Sequence, residues 1–427
     1  MRRLPISTLL ATNLISGLGN AMTSLAVPWF VLETTGSASR TGLTAAVALV
    51  PMVVMSVFGG ALADRTSRRG LSIFADVMSA VFLAAIPVLH LLGWLSFPVL
   101  LGLMFMGAIF DSPGATARQA MVPELAERGD VSLERVNSLF SVNQAVSMLA
   151  GAPIAGLMIA WLGAVDVLWF ATGTFVISIL GMALLVPPLP KAEPSGEDFL
   201  QDVKIGVRYV WGSPLLRTTI MASLLINMVI SPIFGVALPV LAKERFGDAG
   251  SLGLMMSGFG TGILVGSLAF GWLGSKLGPR SLVLAAVGTM GAGLALIATM
   301  TALPGIWVLL FAIGLGSGIP NPLLMTIMQE RVPSAMLGRV FGTLGAGAMM
   351  ATPLGMLLGG VVISSFGLDT TFLIAGGTTL AVFAACVFSS ALRELDQPGP
   401  MTATVAVAVP AEPLGVSGAD ADADQAA

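Results

Sequence analysis

GALADRTSRR, Gly60 to Arg69, returns in weaker form 211 positions later as GWLGSKLGPR, Gly271 to Arg280. Each copy lies between two long apolar blocks. Three further matches follow in the same order: Val122-Pro123 with Val332-Pro333, Arg135-Val136 with Arg339-Val340, and Ala152-Pro153 with Thr352-Pro353. Four correspondences in one order, with a slowly drifting offset, describe a chain made of two homologous halves.

The blocks around these matches number twelve, at roughly 6–32, 41–63, 71–93, 96–116, 138–160, 164–187, 217–241, 251–274, 281–302, 305–326, 340–364 and 369–392. About 20 apolar residues carry a helix across the ~30 Å hydrocarbon core of a bilayer. The blocks lack the alternation of barrel strands, and helices are the other way to satisfy a backbone in lipid. The predicted fold is therefore an all-α membrane protein, with helices 1 to 6 in residues 1–187 and helices 7 to 12 in residues 217–395. Residues 188–216 form a cytoplasmic linker. Within it Phe199, Leu200, Val203, Val207 and Val210 share one helical face, opposite Asp198, Asp202, Lys204 and Arg208, which predicts a helix lying at the membrane interface. Residues 396–427, rich in Ala, Pro and Asp, form a cytoplasmic tail predicted to be disordered.

Composition excludes the other broad classes. The 427 residues are 56% hydrophobic and 10% charged, whereas soluble domains carry about 25% charged residues. A net charge of −3 leaves no basic footprint for nucleic acid. The single histidine, His90, and single cysteine, Cys386, make no metal-ligand cluster, catalytic set or intrachain disulfide. The 51 glycines lie mostly inside apolar blocks, where they allow close helix packing. No enzyme activity and no cofactor are expected. The opening MRRLPISTLLATNLISGLGNA resembles a signal peptide, but its apolar run continues to Leu32, so it is read as an uncleaved first span.

Basic residues set the expected orientation. With the N-terminus inside, the outer connections hold three of the twenty Lys and Arg residues: Arg40, Lys243 and Arg245. The others fall at the cytoplasmic ends, among them Arg2, Arg3, Arg128, Arg135, Lys276, Arg280, Arg331 and Arg339. Both termini are expected on the cytoplasmic side of a bacterial inner (plasma) membrane.

Two carboxylates lie inside spans, Asp76 in helix 3 and Asp111 in helix 4, each about five residues from the cytoplasmic end and so about 8 Å deep. Arg65, Arg68, Arg69 and Arg118 lie near that depth. The carboxylates are read as an ion-pair lock or as protonation sites. Glu33, at the outer end of helix 1, either caps and pairs with Arg40 or accepts protons. On helix 1, Asn13, Gly17, Asn20 and Ser24 form one stripe. With Asn143 and Gln144 on helix 5, Asn227 on helix 7 and Asn321 on helix 10, they line a cavity or bridge helices, because amides do not face lipid cheaply. The 24 methionines and 21 phenylalanines would give such a cavity adaptable apolar walls.

Gly60, Leu62, Ala63, Asp64, Arg65, Arg68 and Arg69 resemble the signature G-x-L-a-D-R-x-G-R-[RK] of the major facilitator superfamily, with Ser67 at the second glycine. Ala152, Pro153 and Gly156 resemble part of that family's helix-5 antiporter motif, with Leu157 in place of its last glycine. PWFVLETTGSA, ARQAMVPEL, GVRYVWGSPLLR, IPNPLLMTIMQERVP and LGRVFG are similar to the macrolide-efflux and enterobactin-exporter branch of the drug:proton antiporters. Within that branch they resemble the Tap-type multidrug efflux proteins, which share ALREL before the tail. The resemblance implies twelve helices, alternating access and export coupled to the proton gradient. It also implies that Asp64 meets the N-terminus of helix 11 to close the cytoplasmic side. Two positions depart from it: Asn20 stands where many members carry an acid, and Leu103 where many carry an arginine. The expected function is secondary active export of small amphiphilic, drug-like molecules by a monomer, with protons and the lipid bilayer as partners. Export of one dedicated metabolite or siderophore is the alternative, and a non-transporting membrane sensor is a more distant one.

Overall fold

The computed structural model describes residues 3–188, 199–273, 277–332 and 334–396; the side chains of residues 56–65 and of Asn321 lie outside the described residues. Twelve helices are long and apolar enough to cross a membrane, and no strand occurs among the described residues. The protein is a multi-pass integral membrane protein. The first half contains helix 1 (Leu4–Thr35), helix 2 (Ala38–Arg65), helix 3 (Arg68–Leu91), helix 4 (Phe97–Ala120), helix 5 (Leu133–Leu162) and helix 6 (Ala164–Leu185). The second half contains helix 7 (Pro214–Phe246), helix 8 (Ala249–Leu273) and helix 9 (Pro279–Ile297). Helix 10 follows as Leu303–Ser317 and Pro320–Arg331, then helix 11 (Ser334–Phe366) and helix 12 (Leu368–Phe388). Several helices outrun their predicted spans because apolar sequence marks only hydrocarbon depth. Helix 7 carries two π-helical segments, Ile233–Ala237 and Ala242–Phe246, and helix 10 breaks at Gly318 and Ile319, before Pro320.

The repeat is visible in the turns. Gly36 and Gly247, 211 positions apart, end the first helix of each half with positive φ of 65° and 77°. Only glycine adopts that left-handed cap without strain. Gly163 and Gly367, at φ 89° and 82°, precede the last helix of each half. Arg69 donates to the carbonyls of Met182 and Ala183 at the end of helix 6. Its counterpart Arg280 donates to the carbonyl of Val387 at the end of helix 12, at 2.6 Å. Both arginines satisfy orphan carbonyls at the negative end of a helix.

Close helix contact rests on small residues. A Cβ added at Gly262 of helix 8 would lie 2.2 Å from the Phe311 carbonyl of helix 10, and one at Gly266 would lie 2.2 Å from the Leu315 carbonyl. One at Gly314 would lie 2.2 Å from the Phe259 carbonyl. Glycines four residues apart let two backbones touch, the geometry that supports helix association where lipid gives no hydrophobic drive.

The linker segment forms a helix, Phe199–Gly212, in which the side chains of Phe199, Leu200, Asp202 and Val203 lie outside the described residues. Tyr209 and Val210 pack into an apolar cluster with Leu215, Leu216, Ile220 and Val340, whereas Val207, placed on the apolar face by sequence, is exposed. Val340 of that cluster lies on helix 11, so the linker helix packs on the second half. Residues 189–198 and 397–427, which include Asp198 and nearly all of the tail, lie outside the described residues.

The halves meet firmly at one end. Ser39 Oγ lies 2.7 Å from Ser364 Oγ, and Lys243 Nζ donates to the Leu32 carbonyl at 2.6 Å. A Cβ on Gly42 would sit 2.5 Å from the Met356 carbonyl, and one on Gly156 would sit 2.6 Å from Gly253 Cα. These contacts cluster where helices 1–2, 5–6, 7–8 and 11–12 turn. Arg245 also joins that end, through Asp369 and the Met300 carbonyl.

Candidate functional site

Away from this seal a cavity of about 660 Å³ opens between the halves. Helix 1 supplies Ala21 and Ser24 and helix 5 supplies Ala152, while helices 7 to 11 form most of the wall. Its apolar lining is flexible and aromatic: Phe234, Phe259, Met256, Met290 and Met356. Phe234 and Phe259 pack with centroids 4.1 Å apart and ring planes tilted by 40°. Asn227, Ser223 and Ser317 add polar points. Few polar groups on an adaptable apolar wall suit binding of varied amphiphiles.

The structure divides the predicted polar residues. Asn227 lies on the cavity wall and donates to the Ser223 carbonyl at 2.9 Å. Ser24 also lies on the wall and donates to the Ala21 carbonyl. Asn20 is exposed about one turn from Ser24, and Asn13 is half-buried. Gly17 faces Ser147 of helix 5. Asn143 bridges helices, donating to the Leu10 carbonyl at 2.7 Å, while its neighbour Gln144 is exposed. Pro153 and Gly156 of helix 5 pack against Gly253 of helix 8, so this motif sits in the seam between halves.

The first half also holds a buried polar network. Arg118 donates to both carboxylate oxygens of Asp76, at 3.1 and 3.2 Å. Ser178 of helix 6 donates to Asp76 at 2.7 Å and Ser16 of helix 1 at 3.2 Å. Four helices therefore converge on one carboxylate that is 1% exposed. Arg118 Nε and Ser72 Oγ are buried without a hydrogen-bond partner among the described residues. Ser79 donates to Asp111 at 2.8 Å, and Asp111 forms no ion pair among the described residues, although the charges of Arg118 and Asp76 both act on it.

In the signature loop, Arg68 donates to the Ala120 carbonyl at the end of helix 4, and Arg69 caps helix 6 as described. The side chains of Gly60, Asp64 and Arg65 lie outside the described residues. Glu33 is exposed and makes no ion pair among the described residues; Arg40 instead lies over the Phe97 ring, 5.2 Å from its centroid. Sequence reasoning did not find Ser16 and Ser178 around Asp76, nor Gly42, Gly253 and Gly360 in the seam. The only advance signal was small residues recurring on apolar helices.

Residues 2–408 match the family described as transmembrane secretion effector. The chain is 34% identical over 401 residues to the multidrug efflux pump Tap of Mycolicibacterium fortuitum, covering 92% of this chain and 98% of that protein. It is 22% identical to macrolide efflux protein A of Streptococcus pyogenes, over 92% of this chain and 98% of that one. Among solved structures it resembles a variant of the nucleoside transporter NupG, with a TM-score of 0.75 at 14% identity, covering 90% of this chain and 100% of that one.

Proposed function

The chain belongs to the transmembrane secretion effector family of the major facilitator superfamily, and on that premise we propose that it is a secondary exporter of drug-like amphiphiles working by alternating access. The observation that carries this reading is the cavity between the halves, walled by Phe234, Phe259 and methionines and extending away from the end where the halves seal. With both termini cytoplasmic in the bacterial inner membrane, the sealed end is the outer one and the cavity loads from inside. Residues 1–187 and 217–395 act as the rocking units, residues 188–216 tether them, and residues 396–427 form a cytoplasmic tail. The unit works as a monomer. Asp64 and Arg65, with Gly60, serve as the inner latch, and Arg68 and Arg69 strut it against helices 4 and 6. Asn20, Ser24, Asn227 and Asn321 supply polar contacts to substrate.

Protons supply the drive, and Asp111 is the carboxylate assigned to exchange them. Asp76 is held by Arg118 and two hydroxyls, whereas among the described residues Asp111 has one hydrogen-bond partner, Ser79, and no ion pair, so its charge is the less firmly compensated of the two when water leaves. In inverted membrane vesicles, ethidium should accumulate when the lumen is acidic and stop accumulating when the pH gradient is collapsed. Accumulation that ignores the gradient would remove protons from the mechanism. Absence of uptake for ethidium, macrolides and lipophilic dyes alike would overturn the multidrug reading.

A further inference from the structure

The two halves differ in how their first and last helices meet. In the first half, helices 1 and 6 touch through two glycines. A Cβ on Gly19 would lie 2.0 Å from Thr174 Oγ1, and one on Gly181 would lie 2.7 Å from Thr12 Cγ2. The repeat-related positions, 211 and 204 residues on, are Ile230 and Ala385. Both are larger, and helices 7 and 12 stand apart. The gap holds a second cavity of about 490 Å³. It is walled by Met221, Leu225, Val382 and Ala385, and it shares Thr218, Ala222 and Cys386 with the central cavity. Met221 and Ala385 are exposed on the outside of the bundle. Trp211, on the linker helix, and Arg217 stand at the mouth, and Arg217 makes no ion pair among the described residues. An exposed tryptophan and arginine at the end of a span mark the headgroup level of a bilayer.

We propose that this gap is a side port through which lipophilic amphiphiles pass from the adjoining leaflet into the central cavity, between helices 7 and 12. The occupant is the transported molecule. Its apolar body matches the Met221, Leu225 and Val382 walls, and its polar head stays near Arg217 and Trp211 until the body reaches Cys386. Thr218, Ala222 and Cys386 line both the gap and the cavity, so only these small side chains lie between the two, which is why a passing substrate is favoured over a lipid held for structure. This port deepens the exporter reading, and it rests on that reading for the identity of the cargo.

Cys386, the single cysteine of the chain, reports on the port without requiring transport. The purified chain in bilayers is treated either with pyrenyl maleimide, which partitions into lipid, or with a charged methanethiosulfonate added from water. Ala385→Trp and Met221→Trp fill the port from opposite walls, and each should slow pyrenyl maleimide labelling of Cys386 about tenfold. Labelling by the charged reagent through the central cavity should stay unchanged, which also shows that the variants are folded. Efflux of the apolar dye Nile red should fall in parallel. Equal pyrenyl maleimide rates in wild type and both variants would overturn the port whatever the chain transports. Slowed labelling with full Nile red efflux would overturn its role in substrate entry. Failure of the wild-type chain to move any dye would count against the exporter reading instead, through a separate measurement.

Discussion

Asp76 shows how much one buried side chain can require of its surroundings. A carboxylate at 1% exposure is tolerable here because Arg118, Ser178 and Ser16 reach it from three other helices. Breaking such a pair by removing one partner costs about 3–5 kcal/mol, because the survivor is left charged and buried. Arg118→Ala should therefore lower the thermal unfolding temperature in detergent sharply, and Asp76→Asn together with Arg118→Met should recover much of the loss. A normal unfolding temperature for Arg118→Ala would show that the pair contributes no stability. Asp111 carries a different expectation. Asp111→Asn should leave unfolding nearly unchanged and downhill dye exchange measurable, yet abolish accumulation against a gradient. Uphill efflux by Asp111→Asn would move coupling to Glu33 or Asp76. That Asp76 and Arg118 lie at one depth was legible from their distance to the helix ends. Their hydroxyl partners were not, since Ser16 and Ser178 lie 60 and 102 positions away in sequence and serine is common on any helix.

At the scale of elements, helices 8 and 10 depend on absent side chains. Gly262, Gly266 and Gly314 bring backbone against backbone, so a methyl group has no flexible neighbour to displace. Overpacking costs about 1–3 kcal/mol where neighbours can shift, and Gly262→Ala should reach at least the upper part of that range. Thr261→Ala, on the exposed side of the same helix, should be nearly neutral when unfolding temperatures are compared. Equal behaviour of the two variants would mean that the helix pair is looser than its geometry. The linker helix carries the complementary lesson. Its existence followed from an amphipathic pattern, but its partner did not, because helix 11 offers a surface for Tyr209 and Val210 that the pattern of the segment itself does not contain.

For the whole molecule, the sealed end is the mechanical question. Ser39 and Ser364 come from different halves, with hydroxyls 2.7 Å apart. In a Cys386→Ala background, Ser39→Cys with Ser364→Cys should form a disulfide on oxidation. Dye efflux should then stop and return on reduction, because the proposed mechanism parts the halves at this end to release cargo. Undiminished efflux by the cross-linked protein would exclude opening there. The proposed rocking gives a reason for Gly42, Gly156, Gly253 and Gly360 in the seam: small residues pack closely yet separate without unlocking interdigitated side chains.

The sequence by itself determined the membrane location, the twelve helices and their division into two related halves. These follow from periodic, local facts: apolar length, backbone satisfaction in lipid, and a repeated loop. Tertiary structure alone decided which polar residues face the cavity, that Asn143 bridges while Asn227 lines, and that helices 7 and 12 part where helices 1 and 6 touch. The physical reason is that in a bundle of uniformly apolar helices, hydrophobicity places every helix in the membrane but does not choose its rotation or its neighbour. That choice is made by close contacts of small residues and by a few hydrogen bonds between segments far apart in the chain.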